Sequence, residues 1–317
     1  MKAPAFWDHD GALAQALAPL GHLYALGARC RRQAATPWRA PKPVICVGNL
    51  TVGGAGKTPT AIAIARRLTL AGRKPVLVSR GYRGRLAGPV RVDPSVHSAT
   101  EVGDEPLLLA RAAATVVAKD RLAGIHAALD FGADSVVLDD GFQDPRLAHD
   151  LALVVVDGGA GFGNGRVIPA GPLREPVADG LARADAVIVV GDGDVAIDRP
   201  VLRARLVPDD ASLRFRGRKV LAFAGIGRPE KFFATLAEIG ADVVATRGFA
   251  DHHAYDEDDA ARLVEDAARQ AAEPVTTRKD WVRLPASAKP MISVIDVDLV
   301  FADEDAVARR LAELRRG

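Results

Sequence analysis

VGNLTVGGAGKTPTA, Val47–Ala61, closes one apolar run and opens an alanine-rich one. The glycine-rich turn between them follows the phosphate-loop pattern GxxxxGK[ST], except that Thr51 stands where the first glycine belongs. What the chemistry requires is kept. Gly53, Gly54 and Gly56 let the backbone approach phosphate oxygens and adopt positive φ. The N–H groups at the start of the next helix face an anion. Lys57 reaches the β- and γ-phosphates, and Thr58 offers a hydroxyl to Mg²⁺. Thr51, Val52, Gly53, Gly54, Ala55, Gly56, Lys57 and Thr58 are therefore read as the nucleotide site.

Outward from this loop, short β-branched runs alternate with alanine-rich stretches. Strands are expected at 43–48, 75–80, 115–119, 135–140, 151–157 and 185–191. Their unbroken Val/Ile/Leu content, without alternation, indicates a parallel sheet buried on both faces. The run SVVLDDGFQ ends in Asp139 and Asp140, which places carboxylates beside the loop as Mg²⁺ ligands. Extended arms around an Asp-Asp turn follow at 200–218, and then a second α/β series begins. The reading is an N-terminal helical segment (1–40), a P-loop NTPase-like parallel-sheet domain (41–210) and a smaller α/β domain (211–317) that closes a cleft.

The 42 basic residues nearly balance 40 acidic ones, which argues against a nucleic-acid partner. Cys30 and Cys46 form no CxxC pair and are read as free thiols. Gly11–Ala28 carries no charge and is followed by RCRRQ. It holds Gln15, Pro19 and His22, with Leu13, Leu17, Leu20 and Tyr24 at helical spacing. It is read as one or two amphipathic helices lying on an anionic membrane surface, rather than a span.

Two switch-type readings weaken. A GTPase needs [NT]KxD, and TRKD (Thr277–Asp280) has the wrong order; a membrane-partitioning ATPase switch, the main alternative, places lysine where Val52 stands. The stretch Arg278–Trp281 is left unassigned between nucleotide and membrane.

Taken in order, VGNLTVGGAGKTP, SRGYRG, VGDEP, DDGFQ, GNGRVIPAGPLREP, AFAGIGRPEKFF, FADHHAY and TTRKDWVRL closely resemble the tetraacyldisaccharide 4'-kinase (lipid A 4'-kinase) family of Gram-negative bacteria. The resemblance covers most of the chain. It implies ATP- and Mg²⁺-dependent phosphorylation of the 4'-hydroxyl of a lipid-anchored disaccharide 1-phosphate. It also implies a peripheral protein, expected as a monomer, on the cytoplasmic face of the inner membrane.

By position alone, Asp104 and Glu105 serve equally for chemistry or for capping a helix that starts at Pro106. Glu105, immediately before that proline, is the better placed cap, and the resemblance makes Asp104 the base. His252, in a loop of the second domain, is its expected partner on closure, with His253 a bystander. Arg80, Tyr82, Arg121 and Arg174 are candidates for the acceptor's phosphate and hydroxyls. Gln143, Glu105 and Glu175 are further acceptor candidates. One departure is Asp144, where the family often has histidine after DDGFQ.

Overall fold

The structure, a computed structural model, describes residues 4–314; the first three residues of the N-terminal segment and the end of the expected final helix lie outside them. Thirteen strands form two sheets. The strands of the large sheet are β1 (Val44–Gly48), β2 (Pro75–Ser79), β3 (Val90–Arg91), β4 (Thr115–Val117), β5 (Ser135–Asp139), β6 (Leu151–Asp157), β7 (Ala186–Val190) and β8 (Val201–Pro208), with β13 (Val297–Phe301) added at the far end of the chain. The small sheet comprises β9 (Lys219–Ala224), β10 (Asp242–Gly248), β11 (Glu273–Thr277) and β12 (Ser293–Ile295). Helices are α1 (Ala12–Ala34), α2 (Lys57–Leu70), α3 (Ala99–Val102), α4 (Asp104–Leu109), α5 (Arg121–Asp130), α6 (Val177–Leu181), α7 (Pro229–Glu238), α8 (Glu257–Arg269), α9 (Arg278–Trp281) and α10 (Glu304–Ala312).

The large sheet runs β13-β8-β7-β6-β1-β5-β2-β4-β3, parallel throughout except at its two edges. Every residue of β1, β2, β5 and β7 is buried, as the unbroken apolar runs require. On one face Ile45, Val47, Leu77 and Val137 pack with Ile64 and Leu68 of α2 and Val307 and Leu311 of α10. On the other, Val44, Cys46, Val136 and Leu138 pack with Ile125 of α5 and with Leu50 and Leu173. Because β1 lies between β5 and β6, the sheet reverses direction there, and the loop after β1 opens at the switch point where open α/β sheets bind ligands. The small sheet, β10-β9-β11-β12, is parallel and also covered on both faces.

Two differences from the sequence reading have clear causes. The run 291–300 reads as one strand of the second α/β series. It is instead split at Asp296: β12 pairs with β11, and β13 crosses to pair antiparallel with β8. The chain therefore returns to the large sheet, so the span 211–317 is not a single unit. Leu299, Phe301, Val307 and Leu311 belong to the large core, and hydropathy alone could not say which core they join. Likewise PVTTRKD is a strand only to Thr277. The Thr277 side chain then accepts from the Asp280 N–H and caps α9.

The N-terminal segment is one helix, α1, with Pro19 inside it. It turns its small residues inward: Ala14, Gly21 and Ala25 are buried, while Leu13, Leu20, Leu23, Tyr24 and Leu26 are exposed. Gly21 is required, because a Cβ there would lie 2.7 Å from the Val167 carbonyl oxygen. The basic flank is largely committed to the protein: Arg29 pairs with Asp179, and Arg32 with Glu175 and Asp179. No described helix is long and apolar enough to cross a membrane.

Candidate active site

The loop after β1 is built for an anion. Gly48 must lack a side chain, since a Cβ would sit 2.4 Å from Phe142 Cβ. The buried Asn49 donates through Nδ2 to the Thr51 carbonyl at 2.7 Å, and the Val52 N–H donates to the Pro172 carbonyl at 2.7 Å. The loop is thereby fixed to the segment 163–176 on one side. Gly53 and Gly56 have positive φ, which a side chain would strain; Gly54 does not. Gly56 is the N-cap of α2 and supplies no side chain, so the first amides of that helix are left for a ligand.

Lys57 starts α2. Its side chain is nearly buried, and burial pushes its pKa down, opposed by Asp140, whose carboxylate lies 3.9 Å away. Thr58 donates its hydroxyl to Asp139 Oδ2 at 3.1 Å. Burial raises the Asp139 carboxyl to about 6, and its Oδ1 is buried with no partner. A buried carboxylate oxygen without a donor, beside a threonine hydroxyl, fits a hard divalent cation such as Mg²⁺.

Asp140 is placed differently. It has φ +64, and its Oδ1 accepts from Arg174 at 2.7 Å. Burial opposes its ionisation, but Lys57 and Arg174 outweigh burial and hold it below the usual carboxylate range. Arg174 also donates to Gln143 Oε1 at 3.2 Å, and Arg121 donates to the Asp140 carbonyl. Arg121 and Arg174 thus converge on Asp140, and Gln143 reaches it only through Arg174. Arg80, at the end of β2, is exposed.

Glu175 departs from its expected role. It is fully buried: Arg183 donates to its two oxygens at 2.8 and 2.9 Å, and Arg32 lies 3.1 Å away. Its carboxylate ties α1 to the loop before α6 and is not open to a sugar hydroxyl. Sequence reading missed Arg32 because its partner Glu175 is distant in the chain, and Arg183 because α6 must form to bring it back over Glu175.

Across the cleft, His252 Nδ1 and Asp104 Oδ2 are 2.8 Å apart. Several features hold the histidine there. The Asp280 carboxylate, fully buried, accepts from the Gly225 N–H at 2.7 Å and the Tyr255 hydroxyl at 2.8 Å. The His252 N–H in turn donates to the Gly225 carbonyl at 3.0 Å. From the large sheet, Arg83 donates to the His252 carbonyl at 3.2 Å, and the Tyr82 ring meets the imidazole edge-on at 5.7 Å. His252 and Arg83 both have positive φ. Non-glycine residues hold that conformation only when their surroundings enforce it, and such sites gather where function needs a fixed geometry. His253 accepts no such role: it pairs with Asp259 at 2.7 Å and stacks on Phe249.

α4 starts two residues earlier than expected. Asp104 is its first residue, and Gly103, with φ +91, is the N-cap. Glu105 is therefore not a cap; it lies within the first turn and carries a buried Oε2 with no partner. Asp104 is 4% exposed. Burial opposes its ionisation, yet the His252 hydrogen bond and the Lys279 ammonium outweigh it and hold the carboxyl well below the usual range. Burial, with Asp104 adjacent, pushes Glu105 the other way, to about 7. Lys279 and Arg283 approach this pair from the other unit, at 3.2 Å from Glu105 and 3.8 Å from Asp104 respectively. The signal for them was the unassigned RKDWVR stretch.

The family model described as "Tetraacyldisaccharide-1-P 4'-kinase" matches residues 13–316. The chain is 53% identical to a tetraacyldisaccharide 4'-kinase of Rhodospirillum centenum, covering 100% of this chain and 98% of the relative. It is 51% identical to that of Methylorubrum extorquens strain PA1, covering 98% of each. A crystal structure of LpxK from Aquifex aeolicus in complex with ATP superposes with a TM-score of 0.79 at 26% identity, covering 95% of this chain and 98% of the other. None of these matches favours a partitioning-type ATPase switch.

Proposed function

This chain belongs to the tetraacyldisaccharide-1-P 4'-kinase family, and from that premise we propose how its residues carry the reaction. It is an ATP-dependent kinase of lipid A biosynthesis that phosphorylates the 4'-hydroxyl of a tetraacyldisaccharide 1-phosphate. In the transfer, the bond between the γ-phosphorus and the β,γ-bridging oxygen of ATP breaks. A bond forms from the acceptor oxygen to that phosphorus, and the hydroxyl proton must leave.

The amides of Gly53–Thr58 hold the phosphates, and Lys57 offsets their charge. Thr58 and Asp139 would hold Mg²⁺, and Asp140, whose Oδ1 is held by Arg174, would offer its other oxygen. When bound, the ion neutralises charge on the phosphate oxygens. Asp104 takes the acceptor's proton, and His252 holds the carboxylate in place through Nδ1. Arg80, Tyr82, Arg121, Gln143 and Arg174 line the acceptor's approach, where guanidinium groups suit its 1-phosphate.

The observation that carries this reading is the 2.8 Å Asp104–His252 pair, contributed by α4 and by the loop after β10. The exposed leucines of α1 support a peripheral place on a membrane surface; the monomer and the cytoplasmic face of the inner membrane are what the family resemblance implies. The test is purified protein with Mg-ATP and the lipid disaccharide in detergent micelles. The 4'-phosphorylated product is expected; tight ATP binding with an unmodified acceptor would refute the reading.

A further inference from the structure

Asp104, Glu105 and His252 present ligand atoms within 4.8 Å of one another, a spacing that suits a metal ion. A cation of the chain already faces that spot. The Lys279 ammonium lies 3.2 Å from Glu105 Oε1, 3.2 Å from His252 Nε2 and 4.0 Å from Asp104 Oδ2. α9, which carries it, is fixed by the Thr277 cap and by the buried Asp280, so the lysine is delivered from a rigid turn.

An ammonium has three donors and no acceptor. Facing Nε2 at hydrogen-bond distance, it leaves that nitrogen as acceptor and puts the ring proton on Nδ1, where it points at Asp104. It also opposes two adjacent carboxylates that would otherwise share a proton.

We propose that Lys279 is a positioning residue for the phosphoryl transfer: set between Glu105 and His252, it fixes His252 on Asp104 and opposes the uptake of a proton by the acidic pair. This rests on the reading of Asp104 as the base. The groups facing the pair are Lys279 and Arg283 from α9 and the residues after it, and His252 from the loop after β10, whose Nε2 Asp251 approaches at 3.8 Å. Lys57 of α2 lies across the cleft within electrostatic reach of Glu105, which burial pushes up to about 7. Taking away one neighbouring positive charge raises a carboxyl by about one to three units.

The experiment is the pH profile of kcat for wild type, Lys279→Met, Lys279→Arg and Asp104→Asn, with thermal melts of each. In Lys279→Met the acid limb should move about one to three pH units higher. Activity lost at neutral pH should then return as the pH rises. Lys279→Arg, which keeps the charge, should hold the limb at its wild-type position. The Michaelis constant for ATP should not change, because Lys57 and Thr58 are untouched. If Lys279→Met loses activity equally at every pH, or none at all, while Asp104→Asn is inactive, the proposal fails and the base assignment stands. If Asp104→Asn retains wild-type activity, the base assignment itself fails.

Discussion

Replacing Glu175 by glutamine should destabilise the large unit instead of weakening acceptor binding. The substitution keeps volume and removes charge, so Arg183 and Arg32 lose their shared counter-ion. Breaking a fully buried ion pair costs about 3–5 kcal/mol. Here the two arginines keep 32% and 20% of their side-chain surface and can turn toward water, which lowers the cost to about 2–3 kcal/mol. At about 1.5 °C per kcal/mol for a chain of this size, the thermal midpoint should fall by roughly 3–5 °C. Because Arg32 lies on α1, the stretch between α1 and β1 should also become easier to cleave in limited proteolysis. Acceptor KM, measured well below the transition, should stay at the wild-type value. An unchanged melt with a raised acceptor KM would refute the reasoning and return Glu175 to the sugar site.

Two further outcomes follow from the same structure. Burial, with the Arg183 guanidinium nearby, pushes the His149 imidazole down to about 4. The folded value lies below the ordinary 6.5, so the unfolded chain takes up the proton first as pH falls. Stability is full above about pH 6.5 and falls by about 3 kcal/mol on the way to pH 4; denaturant titrations of His149→Gln should show that slope reduced. Leu20→Asp with Leu23→Asp, both on the outer face of α1, should reduce flotation with anionic vesicles while leaving the melt and ATP affinity unchanged.

The sequence disclosed most where its local pattern and its burial agree. The parallel strands were legible because a strand covered on both faces leaves an unbroken apolar run, as in SVVLD and AVIVV. The turn before α2 was legible because Gly53 and Gly56 take positive φ and the helix begins at Lys57, one local geometry. What stayed hidden depends on long-range partners. Nothing local shows that 297–301 leaves the small sheet for β8, nor that Glu175 meets Arg32 from far upstream. Of the apolar residues read as one face of α1, Leu13, Leu20 and Tyr24 are exposed and Leu17 is half-buried. Which side faces the protein was set by Gly21 against Val167, a contact visible only in three dimensions. Lys279 sat in a motif the resemblance included but gave no role, since its work consists of meeting residues from another unit.

The central claim is that Asp104 and His252 act as one device. It is tested most directly by a double-mutant cycle on kcat with Asp104→Asn, His252→Ala and the double variant. Each single change should cost about 10²–10⁴-fold. The double variant should be no worse than the poorer single one, because residues acting as a unit are strongly non-additive. Losses that multiply, or a single variant that keeps wild-type kcat, would contradict the account.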